Sequence, residues 1–129
     1  MDFRLTKEER LSSKQVIDRL FSGGSGSMAV YPLRVVWMVT TRQPDDQTPP
    51  VRMLVSVPKK RFHHAVDRNR LKRQVREAFR LNKHILWQAL ADTDKRVDIG
   101  FISITDTPVQ SHAVRRSVVK ALIRISEKL

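Results

Sequence analysis

The sequence predicts an α+β fold, a two-layer sandwich in which helices cover one β-sheet. Apolar residues recur at helical spacing in some segments and run alternating or β-branched in others, and each helix has a single apolar stripe that must be buried against another layer. At 129 residues the chain, 1–129, is expected to form one domain around one core.

Ser12 and Gln15 have capping-box spacing, and Val16, Ile17, Leu20 and Phe21 follow at helical intervals until Gly23 and Gly24 stop the pattern. A short amphipathic first helix is predicted. From Met28 to Thr41, Tyr31, Leu33, Val35, Trp37 and Val39 alternate with Arg34, Val36 and Met38, giving one or two strands broken near Pro32. Gln43 to Pro50 reads as a solvated loop, and Val51 to Val57 as a strand that completes a hairpin with the preceding one. Leu71, Val75, Ala78, Phe79, Ile85, Leu86 and Ala89 share one stripe, which predicts a long helix from Asp67 to near Asp92. Asp98 to Ile104 is a further strand. A last helix opens between Pro108 and Ser111 and buries Val114, Val118, Leu122, Ile125 and Leu129. The predicted order is αβββαβα.

Composition points to the partner. The chain has 25 Lys and Arg against 13 Asp and Glu, a formal net charge of +12, and 40% hydrophobic residues, so a strongly positive field sits on a protein with a core. Nucleic acid is the first partner to consider. The absence of cysteine excludes a disulfide framework, a thiolate nucleophile and a cysteine zinc site, and fits a cytoplasmic location. No run of about 18 uncharged apolar residues occurs, and Met1 to Arg10 does not read as a signal peptide, so neither a membrane nor secretion is expected.

The charge is concentrated. Between Lys59 and Lys83 stand ten bases (Lys59, Lys60, Arg61, Arg68, Arg70, Lys72, Arg73, Arg76, Arg80, Lys83) against two acids, Asp67 and Glu77, a net +8. On the helical wheel Asn69, Arg73, Arg76, Arg80 and Lys83 lie opposite the apolar stripe, so burying one face presents the other as a cationic ridge. A solvated helix face normally interleaves acids at i,i+4, which is not the case here. With Asp67 read as the cap, Arg68 and Arg70 sit at the positive end of the helix dipole, where cations are unfavourable without an anion to offset them. Amide donors flanked by guanidinium groups suit phosphate oxygens, and Asn69 adds a hydrogen-bonding group for a phosphate, a 2′-hydroxyl or a base edge.

The segment Lys59-Lys60-Arg61-Phe62-His63-His64-Ala65-Val66-Asp67-Arg68-Asn69-Arg70-Leu71-Lys72-Arg73-Gln74-Val75-Arg76-Glu77-Ala78-Phe79-Arg80 resembles the signature of the bacterial ribonuclease P protein component, and the likeness extends to Arg10-Leu11 and Leu20-Phe21-Ser22-Gly23. The resemblance implies a sandwich with a left-handed βαβ crossover. It implies an accessory subunit that joins a catalytic RNA, which uses Mg²⁺ to remove the 5′ leader of precursor tRNA; no small-molecule substrate, catalytic side chain or protein-held metal is implied. It assigns catalytic-RNA contacts to Arg68, Asn69, Arg70, Lys72, Arg73 and Arg76, together with Lys59 and Lys60, and Arg61 and Arg80 of the same cationic segment are expected to join them on charge and placement. It assigns a leader cleft to Ile17, Phe21 and Val36 or Trp37, where stacking gives a sequence-tolerant grip.

Other features are discounted. His63 and His64 are adjacent and cannot face one ion as an i,i+4 pair would, and His84 and His112 have no carboxylate partner in sequence reach. Trp37 and Trp87 fit a core as well as a base platform. The acids Asp45, Asp46, Asp92, Asp94 and Asp98 read as turn or strand-edge residues. Two alternative functions remain: a ribosomal-type RNA-binding protein lacking a substrate cleft, and a stand-alone ribonuclease using His63, His64 and Lys60.

Overall fold

The computed structural model describes residues 4–11, 14–22, 24–60 and 62–129. Ser12, Gly23 and Arg61 lie outside the described residues. A 3₁₀ turn at Lys7–Glu9 precedes α1 (Lys14–Phe21), β1 (Gly26–Val30), β2 (Leu33–Thr41), β3 (Val51–Ser56), α2 (Ala65–Asn82), α3 (His84–Leu90), β4 (Lys95–Ser103) and α4 (Ser111–Glu127).

The sheet order is β1-β2-β4-β3. The expected hairpin between the second and third strands is therefore corrected: β4 inserts between them, antiparallel to β2 and parallel to β3. The hairpin forms instead between β1 and β2, which meet at the cis Tyr31-Pro32 bond. The unit β3-α2-α3-β4 joins neighbouring parallel strands by a helical crossover.

Strand parity divides the sheet. Val35, Trp37, Val51, Met53, Val97, Ile99 and Phe101 form one face and pack with Leu71, Val75 and Phe79 of α2, Leu86 and Leu90 of α3, and Val118, Leu122 and Ile125 of α4. This is the core. The helical layer and the sheet are the sandwich, while α1 lies across the other sheet face. Gly100 of β4 leaves room for it, since a Cβ there would stand 3.0 Å from Val36 Cγ2, 3.3 Å from Leu20 Cδ2 and 3.5 Å from Phe21 Cζ.

The long helix is two helices. Asn82 Nδ2 donates to the carbonyl of Ala78 at 2.8 Å, engaging an acceptor of the helical ladder at the end of α2, and α3 begins just beyond at His84. Lys83, at the junction, is buried rather than part of the exposed ridge. Its Nζ meets both carboxylate oxygens of Glu9 at 2.9 Å and also donates to the carbonyl of Arg4, which ties the N-terminal segment to the helical layer.

Candidate nucleic-acid interface

The start of α2 differs from the expectation. The N-cap residue is His64, so Asp67 is the third helical residue and Arg68-Asn69-Arg70 open the second turn. Asp67 still complements the dipole within the first turn. Arg68 turns back. Its Nη1 donates to the carbonyls of Phe62 at 2.8 Å and His63 at 3.1 Å, closing the β3–α2 loop over the buried Phe62 ring. Arg68 is thus partly a structural clamp, whereas Asn69, Arg70 and Arg73 are exposed.

Leu71, Val75, Ala78 and Phe79 fix the roll of α2 by their burial. That roll leaves Asn69, Arg73, Arg76 and Arg80 on the outer side, with Lys72 half-buried beside them and Arg70 and Glu77 along one flank. Lys59 and Lys60 are exposed in the loop before α2. Arg73, Arg76, Glu77 and Arg80 line a cavity of about 340 Å³ with Arg4, Leu5 and Arg10 of the N-terminal segment. Burial, and then the charge of nearby Arg10, hold the Arg76 guanidinium below its ordinary pKa. Arg10, which the sequence reading had not assigned to the interface, joins the cationic surface because its backbone bridges to Met53 at the sheet edge. No periodic signal in the sequence links residue 10 to residue 76.

Glu77 moderates the ridge. Arg80 Nε donates to Glu77 Oε2 at 3.1 Å, and this hydrogen bond is the main reason the carboxyl is held below its usual range and the Arg80 guanidinium above its own.

A second surface lies across the sheet. Ile17, Leu20 and Phe21 share one face of α1; Leu20 is buried, Ile17 is half-buried, and Phe21 is 43% exposed with its ring edge directed toward Gly100 and Val36. Val36 pairs with Gly100 in the β2–β4 register. Trp37, one residue on, points to the opposite face, and its expected place in this cleft is corrected: it is 5% exposed within the core. Its ring occupies the space above Gly26, where a Cβ would fall 2.4 Å from Cζ2. On the α1 side of the sheet Asp98, itself 1% exposed, accepts from Arg52 Nε at 2.9 Å and Nη2 at 3.0 Å. Asp98 is therefore a buried partner rather than a solvated edge residue.

The chain is similar to known proteins along most of its length. The family model described as Ribonuclease P matches residues 5–126. The chain belongs to the ribonuclease P protein family. A ribonuclease P protein component from Porphyromonas gingivalis is 43% identical over 124 residues, covering 96% of this chain and 88% of that protein. One from Chlorobaculum tepidum is 43% identical over 89 residues, covering 67% of this chain and 56% of that protein. The ribonuclease P protein of Thermotoga maritima superposes with a TM-score of 0.66 at 26% identity, covering 89% of this chain and 98% of that one. The Staphylococcus aureus protein shares the fold, with a TM-score of 0.64 at 22% identity over 92% of this chain and 95% of that one. As a member of the ribonuclease P family the chain is the accessory protein subunit of ribonuclease P, and its partner is ribonuclease P RNA.

Proposed function

We propose that the two surfaces divide the labour of the subunit: the α2 ridge docks the catalytic RNA, and the α1 side of the sheet holds the single-stranded 5′ leader of precursor tRNA. The observation that carries this reading is that Arg70, Arg73, Arg76 and Arg80 project from the helical layer, while Phe21 and Val36 lie on the other side of the sheet. One RNA can engage the first surface without covering the second. Lys59, Lys60, Asn69, Lys72 and Arg10 extend the ridge toward phosphate and sugar oxygens, and Arg68 orders the loop that carries the lysines.

The partly exposed Phe21 ring offers a stacking surface that does not depend on base identity, with Ile17 and Val36 as apolar walls. Hydrolysis of the leader phosphodiester belongs to the RNA and the Mg²⁺ it binds. The protein's own contribution is to neutralise phosphates and orient the leader, which lowers the Mg²⁺ requirement. The site of action is the cytoplasm. Among the described residues no helix is long and apolar enough to cross a membrane.

Reconstitution tests the proposal. Protein and ribonuclease P RNA together should cleave precursor tRNA at a Mg²⁺ concentration too low for the RNA alone, and the protein freed of RNA should be inert. Cleavage by the protein alone, undiminished in the His63→Ala/His64→Ala variant or lost in it, would in either case move the chemistry onto the polypeptide.

A further inference from the structure

The outer face of α4 carries a second cationic row that the α2 ridge does not include. Arg115, Arg116, Lys120 and Arg124 are all exposed, with Val119 half-buried and Ile123 42% exposed among them, and with Glu127 they line a shallow furrow of about 590 Å³. Arg116, Lys120 and Arg124 recur every four residues, so successive charges stand about 6 Å apart along the helix axis. Like charges at this spacing repel one another. Among the described residues none of the four cations has a carboxylate within ion-pair distance.

The core does not account for this face, because α4 buries Val114, Ser117, Val118, Ala121, Leu122 and Ile125 on its other side. We infer that the Arg116-Lys120-Arg124 row of α4 is a second docking surface for the sugar-phosphate backbone of ribonuclease P RNA.

Charge complementarity selects the occupant. Four cations against one acid suit a polyanion, and a second copy of a chain with a formal charge of +12 would bring like charge against like. A membrane-surface helix would need its large apolar face for lipid, but that face of α4 is already in the core. The choice of the RNA subunit over the substrate follows from placement, and it rests on the reading of α2 as the RNA-facing ridge. α4 packs beside α2 in the helical layer, where Gln74 Nε2 donates to the carbonyl of Val109 at 2.9 Å and to Ser111 Oγ at 3.1 Å, and α1 lies across the sheet.

The test is the salt dependence of affinity for ribonuclease P RNA, using the full chain. Arg116→Gln/Lys120→Gln/Arg124→Gln should weaken binding and reduce the slope of log K against log salt by about 2 to 3, as three phosphate contacts are removed. Arg70→Ala/Arg73→Ala is measured in parallel. An unchanged slope in the α4 variant, with loss in the α2 variant, would overturn the α4 inference and leave the ridge in place. Loss in neither would overturn both. Melting curves verify folding; should the triple variant be unfolded, Lys120→Gln alone should reduce the slope by about one, and no reduction would count against the row. Loss of affinity only for precursor tRNA in the assembled complex, or only for vesicles containing anionic lipid, would assign the face to a different partner and overturn the inference.

Discussion

Lys83 Nζ stands 2.9 Å from both carboxylate oxygens of Glu9, 74 residues earlier in the chain, and both side chains are almost completely buried. The pair is a latch between the N-terminal segment and the α2–α3 junction. Glu9 also accepts from Thr6 N at 3.1 Å and Thr6 Oγ1 at 3.0 Å, so its carboxylate is held from two sides.

Breaking this latch on one side leaves a buried charge without its partner. Lys83→Met should therefore destabilise the fold by about 3 to 5 kcal/mol, while Glu9→Leu/Lys83→Met, which removes both charges, should cost much less. Denaturant titration of the three proteins checks this. A double variant as unstable as the single one would show that the charges themselves were not the source of the loss.

Arg68 and Arg70 should separate into different phenotypes. Arg68→Ala removes hydrogen bonds to the Phe62 and His63 carbonyls and should lower stability by about 1 to 3 kcal/mol. Arg70 is exposed and makes no hydrogen bond or ion pair among the described residues, so Arg70→Ala should melt as wild type while losing RNA affinity of about 1.5 to 3 kcal/mol. Thermal melts alongside RNA titrations decide it, and equal stability losses would mean that Arg70 is also structural.

The contrast between these neighbours marks how far the sequence could be read. The apolar period through Leu71, Val75, Ala78 and Phe79 settles the roll of α2, and with it the direction of Arg73, Arg76 and Arg80, because helical geometry is local. What depends on distant chain was not legible. Lys83 continues the cationic pattern in sequence but is claimed by Glu9, and β4 enters between β2 and β3, which adjacency in the chain would have paired. The place of Trp37 follows from strand parity once Val36 is opposite Gly100, but only the register says which of the two faces the cleft.

Glu77 should act as a brake on RNA binding. Its carboxyl, held below the ordinary range chiefly by its hydrogen bond from Arg80, contributes above the normal carboxylate pKa, and that contribution is lost as pH falls through the lowered value. Glu77→Gln keeps the shape but removes the charge, so RNA affinity and its salt dependence should both rise at neutral pH. The gain should shrink on acidification, as the wild-type carboxyl becomes neutral too. A gain that persisted unchanged at low pH would point to a cause other than charge.

Phe21 and Gly100 test the leader cleft from its two sides. With 43% of Phe21 exposed, Phe21→Ala should cost less stability than the about 3 to 5 kcal/mol of a fully buried Phe, so binding can be measured on folded protein. Loss of one stacking contact should weaken affinity for precursor tRNA by about 1 to 3 kcal/mol and leave mature tRNA, which has no leader, unaffected. Gly100→Ala approaches the same site from the sheet: its added Cβ would press on Val36 at 3.0 Å and Leu20 at 3.3 Å, lifting α1 without removing the ring. It should also reduce discrimination between precursor and mature tRNA, by an amount that a leader shortened to one nucleotide abolishes. A folded Phe21→Ala protein that still distinguishes the two substrates as well as wild type would place the leader elsewhere, and Gly100→Ala would then be expected to change melting temperature alone.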